Sequence, residues 1–468
     1  MTSSLRVRFG AVSPPGIVDR ATRSTGAACG TLAALVGLRA AVYFLLGPGL
    51  ILDDWTAAGN REFQGVLSIA DSGRLMSRPV EWLTYTLIYG VAGSSAKWLL
   101  VLTTLLNVAA VCALFVAFRR FYSPRTSVII CAAWILVPNH NSMTAWAANT
   151  QSVVAFTLLC LGIYALSRGW ATAAACCLAG AVLGYQLTIP PAVLATLFIG
   201  TRFVPLAAET PSPTQPLTLF RRAAVMAAIL LGVAWTTIEP TYPLRVAGPR
   251  PWVYVSAHFG EGLFASSGAV TILALLFVVT AAGGIVTSLY LYWQGDRDRE
   301  RGPALVVVGL IIMASGGLGT VLSGSQAYGM TDRLYAVSSV GAVMVWVGIA
   351  RILFASRRLI GGSLVAAWCI CCVYGQSVSL TSWSRAGEDV PALLAYIDET
   401  VVDRDARIVV GPRAVRRNNI VGIVSPHAPD NALWLHRGRT AGSLRIAKTP
   451  DEFVVQEPGE VLLRWTGD

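Results

Sequence analysis

The residues best suited to chemistry are two adjacent carboxylates, Asp53 and Asp54, in the stretch ILDDWTAAGNREFQG that begins at Ile51. A carboxylate can act as a general base, and a pair of carboxylates could hold Mg²⁺ or Mn²⁺, because hard cations prefer oxygen ligands. A simpler interpretation is that Asp54 caps the helix that follows it. A cap explains only one of the two, and adjacent like charges repel unless a cation balances them. We therefore interpret the pair as functional and leave metal dependence open.

Two arginines could bind an anionic group. Arg333 in MTDRLY and Arg78 in SRPVEWLTY both stand at the ends of apolar segments. A guanidinium group matches phosphate through two parallel hydrogen bonds, which favours arginine at phosphate sites. Either side chain could instead be an anchor whose charge reaches the membrane surface, and Asp332 could pair with Arg333. Arg333 is the first candidate for binding such a group, and Arg78 is the second.

Aromatic and polar residues near these charges could bind a substrate. His258 and Glu261 in VSAHFGEGLF lie one helical turn apart, but two residues do not make a metal site. A lone histidine in such a position is more often structural. The candidates for substrate binding are Trp55, Glu81, His140, Trp146, Gln186 and His258.

The elements that must position these residues are apolar helices of membrane length. The chain is 54% apolar and 13% charged, whereas a soluble domain is about a quarter charged. A hydrocarbon core ~30 Å thick needs a helix of about 20 apolar residues. The fold class predicted is an all-α polytopic membrane protein in contact with membrane lipids. About eleven spans are expected, near residues 26–50, 96–118, 126–138, 147–166, 170–185, 188–203, 223–238, 268–291, 304–323, 336–354 and 360–380.

The positive charge of the chain predicts its orientation. The net charge is +11, and most of it lies in short arginine clusters between apolar blocks, which indicates membrane topology and not a nucleic-acid partner. By the positive-inside rule these clusters face the cytoplasm, together with a disordered basic tail at residues 1–25. The transmembrane domain covers 26–380, and its first external loop, 51–95, carries the acidic pair. We predict an integral protein of the plasma (inner) membrane with a cytoplasmic N-terminus.

Two regions outside the membrane have patterns of their own. In the first external loop, an amphipathic helix follows Asp54 along the membrane surface, and a second helix begins at Pro79. The segment 384–468 is predicted as a small extracytoplasmic α/β domain. Its helix is DVPALLAYIDETV, and its strands are RIVVG, IVGIV, SLRIA and VLLRW. Because this segment lacks a convincing nucleophile and base, we expect it to serve the acceptor and not the chemistry.

Several short motifs together resemble a known class of protein. The Asp-Asp-aromatic step after the first span, the surface helix and the following "RP" resemble GT-C-type membrane glycosyltransferases, which include the protein O-mannosyltransferases and similar bacterial enzymes. PNHNSMTAWAANTQSVVAFTLLCLGIYALSR, LGYQLTIPPAVL and GMTDRLYAVSSVGAV are similar to later segments of that class. The resemblance covers about the first 340 residues, and it rests on the order and topology of these motifs.

The resemblance implies an activity. Members of this class transfer a sugar, with inversion, from a polyprenyl-phosphate donor to a glycan, lipid or protein acceptor outside the cytoplasm. It also implies that a first-loop aspartate is the base, for which we favour Asp53, and that Arg333 and Arg78 would stabilise the departing phosphate. Many members carry Lys or Glu where this chain has Gln186, which leaves the role of that position open.

Two other classes of function were compared with this one. A transporter or lipid flippase would be expected to show internal repeats and ionisable residues at the middle of its spans. The sequence shows no repeat, and its ionisable residues gather at the outer ends of the spans, except for Arg39 in the first span. A scaffold that displays the external domain gives the acidic pair no role. The sequence therefore favours an enzyme.

Overall fold

The molecule is described here by a computed structural model. The described residues are 24–69, 78–200, 218–236, 251–265, 271–296, 298, 300–323, 334–411, 416–417, 420–421, 428–438, 442–447 and 460–465. The predicted basic tail, up to residue 23, lies outside the described residues, and so does the candidate phosphate ligand Arg333.

Apolar helices occupy the positions that the sequence predicted for membrane spans. They are α1 Thr25–Leu46, α4 Ala96–Phe118, α5 Pro124–Leu136, α6 Thr150–Ser167, α7 Ala171–Gly184, α8 Ile189–Gly200, α9 Leu219–Thr236, α11 Thr271–Trp293, α12 Gly302–Ser323, α13 Ala336–Ser356 and α14 Arg358–Thr400. Seven helices among the described residues are long and apolar enough to cross a membrane, whereas four further apolar helices are shorter. The 13 residues of α5 reach only ~20 Å, less than a hydrocarbon core of ~30 Å. The chain is an integral membrane protein, and the predicted fold class is confirmed.

The segment 51–95 contains both predicted helices, α2 Asp53–Gln64 and α3 Pro79–Ala92. Proline suits the first position of α3, because it lacks the N–H that would be unpaired there. Helix α2 buries one face, on which Trp55, Ala57 and Ala58 lie. A helix of the C-terminal region covers that face. Helix α2 therefore packs within the protein and does not simply lie along the membrane surface.

The segment after α5 is an irregular stretch inside the protein. It contains a single helical turn at Ser142–Ala145 and a 3₁₀ turn at Ala147–Asn149, and all residues from 138 to 150 are buried. A buried irregular backbone needs partners for its polar groups. Asn107 supplies one by donating to the carbonyl of Met143 at 2.8 Å. We call residues 138–150 the buried loop.

Arg39, for which the sequence offered no role, faces the buried loop. Its Nη1 donates to the carbonyl of Ile135 at 3.3 Å, and its Nη2 bonds the Thr144 hydroxyl. Gln376 of α14 adds bonds to three carbonyls at the end of α5, at 3.1–3.2 Å. The arginine in the first span thus stabilises the backbone where α5 enters this loop.

The C-terminal region is an α/β unit joined to the membrane part by one continuous helix. Helix α14 has 43 residues and runs from the last predicted span through the helix predicted in the tail. The boundary expected at 384 therefore falls inside a helix. Beyond it are β1 Arg407–Val410, β2 Arg416–Arg417, β3 Ile420–Val421, α15 Ala428–Arg437, β4 Ser443–Ile446 and β5 Glu460–Leu463. β1 pairs in parallel with β4 on one side and with β5 on the other, while β2 and β3 form an antiparallel pair.

Candidate active site

Asp54 is held by three hydrogen bonds in the protein interior. Its Oδ1 accepts from the Tyr89 hydroxyl at 2.5 Å and from the Ala148 amide at 2.8 Å, and its Oδ2 accepts from the Ile51 amide at 3.0 Å. Only 1% of the residue is exposed. Asp54 therefore joins the start of α2 to α3 and to the buried loop.

Burial also changes the acidity of this carboxyl. It raises the pKa of Asp54 to about 7, although the three hydrogen bonds favour the ionised form, and the nearby charge of Asp53 raises the pKa further. Desolvation dominates because a buried carboxylate loses its water shell. Asp54 is thus a fixed group that titrates near neutral pH.

Asp53 has a different environment from its neighbour. It is the first residue of α2, and it is only half-buried. Successive residues of a helix differ by ~100° around the axis, so the two carboxylates point in different directions. Leu52, immediately before Asp53, has φ 47° and ψ −106°, which is an uncommon conformation for a residue with a side chain. The sequence could not distinguish the two carboxylates, whereas the structure gives them different environments.

Two predicted tryptophans pack around the same turn. Trp146 Nε1 donates to the carbonyl of Ile51 at 3.2 Å, and its ring stacks on Trp383 with the centroids 6.3 Å apart. Trp55 is 8% exposed and belongs to the same apolar cluster. Both candidates therefore lie beside residues 51–54, which we call the acidic turn, and Trp146 helps to fix the backbone of this turn.

Arg78, Glu81 and Gln186 form a second cluster. Arg78 Nη1 lies 3.1 Å from Glu81 Oε2, and Arg78 Nη2 donates to Gln186 Oε1 at 3.3 Å. The Nε of Arg78 is buried and has no hydrogen-bond partner among the described residues. Three residues predicted separately, one of them more than a hundred positions away in the chain, thus meet at the N-terminus of α3.

A buried polar stripe on α3 connects the two clusters. Glu81, Tyr85 and Tyr89 recur at intervals of four residues and are all at most 3% exposed. Tyr85 bonds the carbonyl of Ala148, beside the amide that Asp54 accepts. From Arg78 to Tyr89 the helix extends ~16 Å. Neither tyrosine was among the predicted site residues, although the spacing from Glu81 places Tyr85 on the same helix face as Arg78 and Glu81, and Tyr89 one turn further.

The two predicted histidines lie inside the protein, His140 in the buried loop and His258 on α10, Pro251–Phe259. His258 accepts at Nδ1 from Asn139 Nδ2 at 3.0 Å and donates from Nε2 to Ser338 Oγ at 2.9 Å, and burial lowers its pKa to about 3. The ring of His140 stacks on Trp134 at 4.3 Å. Burial, with the charge of Arg39 as a smaller cause, holds the pKa of His140 well below its usual range. Both rings are neutral, and the structure places them in the packing of the buried loop.

The acidic pair is poorly suited to hold a metal ion. No group of three or more His, Cys, Asp or Glu residues that could bind a metal occurs in the described part of the chain. Both oxygens of Asp54 already accept hydrogen bonds from protein donors, so Asp54 is poorly placed to be a metal ligand. The described residues by themselves therefore do not complete the Mg²⁺ or Mn²⁺ site considered from the sequence.

An apolar cavity of about 260 Å³ lies between the membrane helices. Its walls come from α4, α6, α8, α11, α12 and α13, and along α12 they extend from Ala304 to Ser315, a length of ~16 Å. Pro191, five residues after Gln186, contributes to the wall. Sequence reasoning could not find this cavity, because its lining residues look like any other apolar positions of a span.

Comparisons with known proteins give matches in structure. No protein-family model and no curated protein sequence matches the chain. ArnT from Cupriavidus metallidurans bound to undecaprenyl phosphate has a TM-score of 0.45 and 14% identity, covering 89% of this chain and 90% of that one. Its apo structure has a TM-score of 0.44 with the same identity and coverage. The Archaeoglobus fulgidus oligosaccharyltransferase, tethered to an acceptor peptide, has a TM-score of 0.43 and 14% identity, covering 90% and 64%. The function proposed below rests on this chain's own residues.

Proposed function

We propose that this protein is a membrane glycosyltransferase that moves a sugar, with inversion, from a polyprenyl-phosphate donor to an acceptor hydroxyl on the extracytoplasmic face. The main support for the proposal is that the two carboxylates of the acidic pair have different environments. One carboxylate is fixed by three hydrogen bonds, and its neighbour is half-buried at the start of the same helix. This arrangement suits a positioned general base beside a membrane.

Asp53 is the base in this proposal. A base needs access to the acceptor hydroxyl, and Asp53 has the more open environment. Asp54 supports it by holding the turn against α3 and the buried loop. The acceptor is a glycan, lipid or protein that carries a hydroxyl group. No step requires a metal ion.

The cluster around Arg78 binds the phosphate of the donor. Its guanidinium group uses one nitrogen for Glu81 and one for Gln186, and its Nε remains for a phosphate oxygen. Positive charge here would stabilise the phosphate as the sugar departs. Arg333, outside the described residues, is proposed as a second cation at this site.

The apolar cavity would accommodate part of the donor's hydrocarbon chain. Its wall includes Pro191, which is close in sequence to Gln186, and it extends along α12 for about half the thickness of a bilayer core. A donor with its phosphate at Arg78 could place its tail there. The headgroup would then lie along the polar stripe of α3, between Arg78 and the acidic turn.

The orientation of the protein is part of the proposal. Arginine clusters at the ends of α4, α11 and α13 favour a cytoplasmic face for that side of the bundle. The acidic turn and the C-terminal unit would then face away from the cytoplasm. The N-terminal tail would lie on the cytoplasmic side.

The test is transfer of label by purified protein in proteoliposomes. A panel of undecaprenyl-phosphate hexoses and pentoses with radiolabelled sugars is supplied together with a membrane extract as the acceptor source. We expect at least one sugar to move to an acceptor with the wild-type protein and not with Asp53→Asn. Crossing of an intact donor from one leaflet to the other, without loss of its sugar, would favour the flippase. No transfer from any donor of the panel would count against the proposal.

A further inference from the structure

The C-terminal unit contacts the acidic turn on its N-terminal side. A Cβ added to Gly49 would lie 2.4 Å from the Cα of Gly387 in α14, so the two backbones touch. The hydroxyl of Ser384 lies 2.5 Å from the carbonyl of Leu46 and 3.0 Å from that of Gly47. Helix α14 therefore fixes the chain just before Asp53.

The same unit contacts α2 on the C-terminal side of the acidic pair. A Cβ added to Gly59 would lie 2.4 Å from Oδ1 and 2.7 Å from Cβ of Asn431 in α15. One turn further, Phe63 and Trp434 meet edge to face, with their ring centroids 6.2 Å apart. Asn431 is only 4% exposed, so it has little room to move away.

Helix α15 is itself hydrogen-bonded to the rest of the C-terminal unit. Asp430 Oδ1 accepts from the Leu444 amide of β4 at 2.8 Å, and Trp434 Nε1 donates to the carbonyl of Gly442 at 3.2 Å. Arg437 Nε donates to Asp398 Oδ1 of α14 at 2.5 Å. The unit thus holds the acidic turn from both sides as one connected body.

The backbone between these two contacts is strained. Leu52 has φ 47°, which residues with a Cβ rarely adopt, and it immediately precedes Asp53. Such a conformation persists only where the surrounding structure imposes it. The contacts of Ser384, Gly387 and Asn431 are in the right places to impose it.

We propose that the C-terminal unit positions the base through the close contact of α15 with α2, where Asn431 meets Gly59. This inference rests on the function proposed above. It differs from the expectation that the C-terminal segment serves only the acceptor, because the C-terminal unit contacts α2, the helix that carries Asp53. A shift of α15 against α2 would misplace that carboxylate without touching the donor site at Arg78.

The test uses a steric change and its relief. Gly59→Ala forces α15 away from α2, and Asn431→Gly in the same protein makes room for the added methyl group. Gly283→Ala in α11 is the matched control, since an added Cβ there meets nothing within 4 Å. Misplacing a reacting group by ~1 Å can cost about 100-fold in rate. We expect Gly59→Ala to lower kcat by about 10- to 100-fold with little change in the KM for the donor, and the double variant to recover most of the loss.

A readout that does not depend on activity separates the two proposals. Amide hydrogen exchange of residues 50–64 should be faster in Gly59→Ala than in wild type or Gly283→Ala, and slower again in the double variant. Absence of transfer by wild type, with this exchange pattern present, would overturn the proposed function and leave the contact established. Unchanged kcat in Gly59→Ala, or a loss that the double variant does not recover, would overturn the positioning role.

Discussion

Replacing each aspartate of the pair by asparagine should separate their roles. Asp53→Asn keeps the shape of the side chain and removes the proton acceptor. General-base catalysis contributes about 10²–10⁴ in rate, and kcat should fall by that factor. Because Asp53 is half-buried at a helix start, where asparagine is also well tolerated, the free energy of unfolding should change by at most about 0.5 kcal/mol.

Asp54→Asn should act mainly on stability. Asparagine offers one oxygen where Asp54 uses two, so its NH₂ group must face either the Ile51 amide or the Ala148 amide. One backbone N–H is then left buried without an acceptor, which costs about 1–3 kcal/mol. Activity should fall less than in Asp53→Asn when both are measured at a temperature at which both proteins are folded.

The assay is sugar transfer with each variant in proteoliposomes, together with thermal unfolding and donor binding. Both variants should still bind the donor, because neither change touches Arg78. The opposite pattern, with Asp54→Asn the less active and Asp53→Asn the less stable, would show that the two roles are reversed. Wild-type transfer by both variants would refute the assignment of this turn to catalysis.

Four further predictions follow from the same geometry. Because burial raises the pKa of Asp54 to about 7 from 3.8, the folded protein keeps a proton that the unfolded chain releases. This protonation stabilises the folded protein below about pH 4, and the stabilisation is lost as the pH rises to about 7. The thermal unfolding midpoint of the wild type should therefore fall over that pH range, and it should fall less in Asp54→Asn. Arg78→Lys should raise the KM for the donor, because an ammonium group cannot replace the planar fork. Ala195→Phe should fill part of the cavity and weaken donor binding, whereas Ala282→Phe on an exposed face of α11 should not. A reporter fused after Asp468 should be active only outside the cytoplasm, and cytoplasmic activity would refute the orientation.

The sequence alone determined where the helices and most strands of this protein lie. Span positions follow from hydropathy, which is a local property summed over about 20 residues. The start of α3 at Pro79 and the strands near Arg407, Ser443 and Glu460 follow from equally local signals. The acidic pair could be found in the same way, since two carboxylates after an apolar block are conspicuous within a short window.

Only the tertiary structure decided which side chains act together. The contact between Arg78 and Gln186 joins residues 108 positions apart, and Asp54 meets Ala148 across 94 positions. The contacts of Arg39, the lining of the cavity and the packing of α15 on α2 also bring together residues that are far apart in the sequence. Periodicity shows which face of a helix is apolar, but not which other helix will cover it. Asp53 and Asp54 are identical as letters, and they differ only because packing buries one carboxylate under three donors and leaves the other half-exposed.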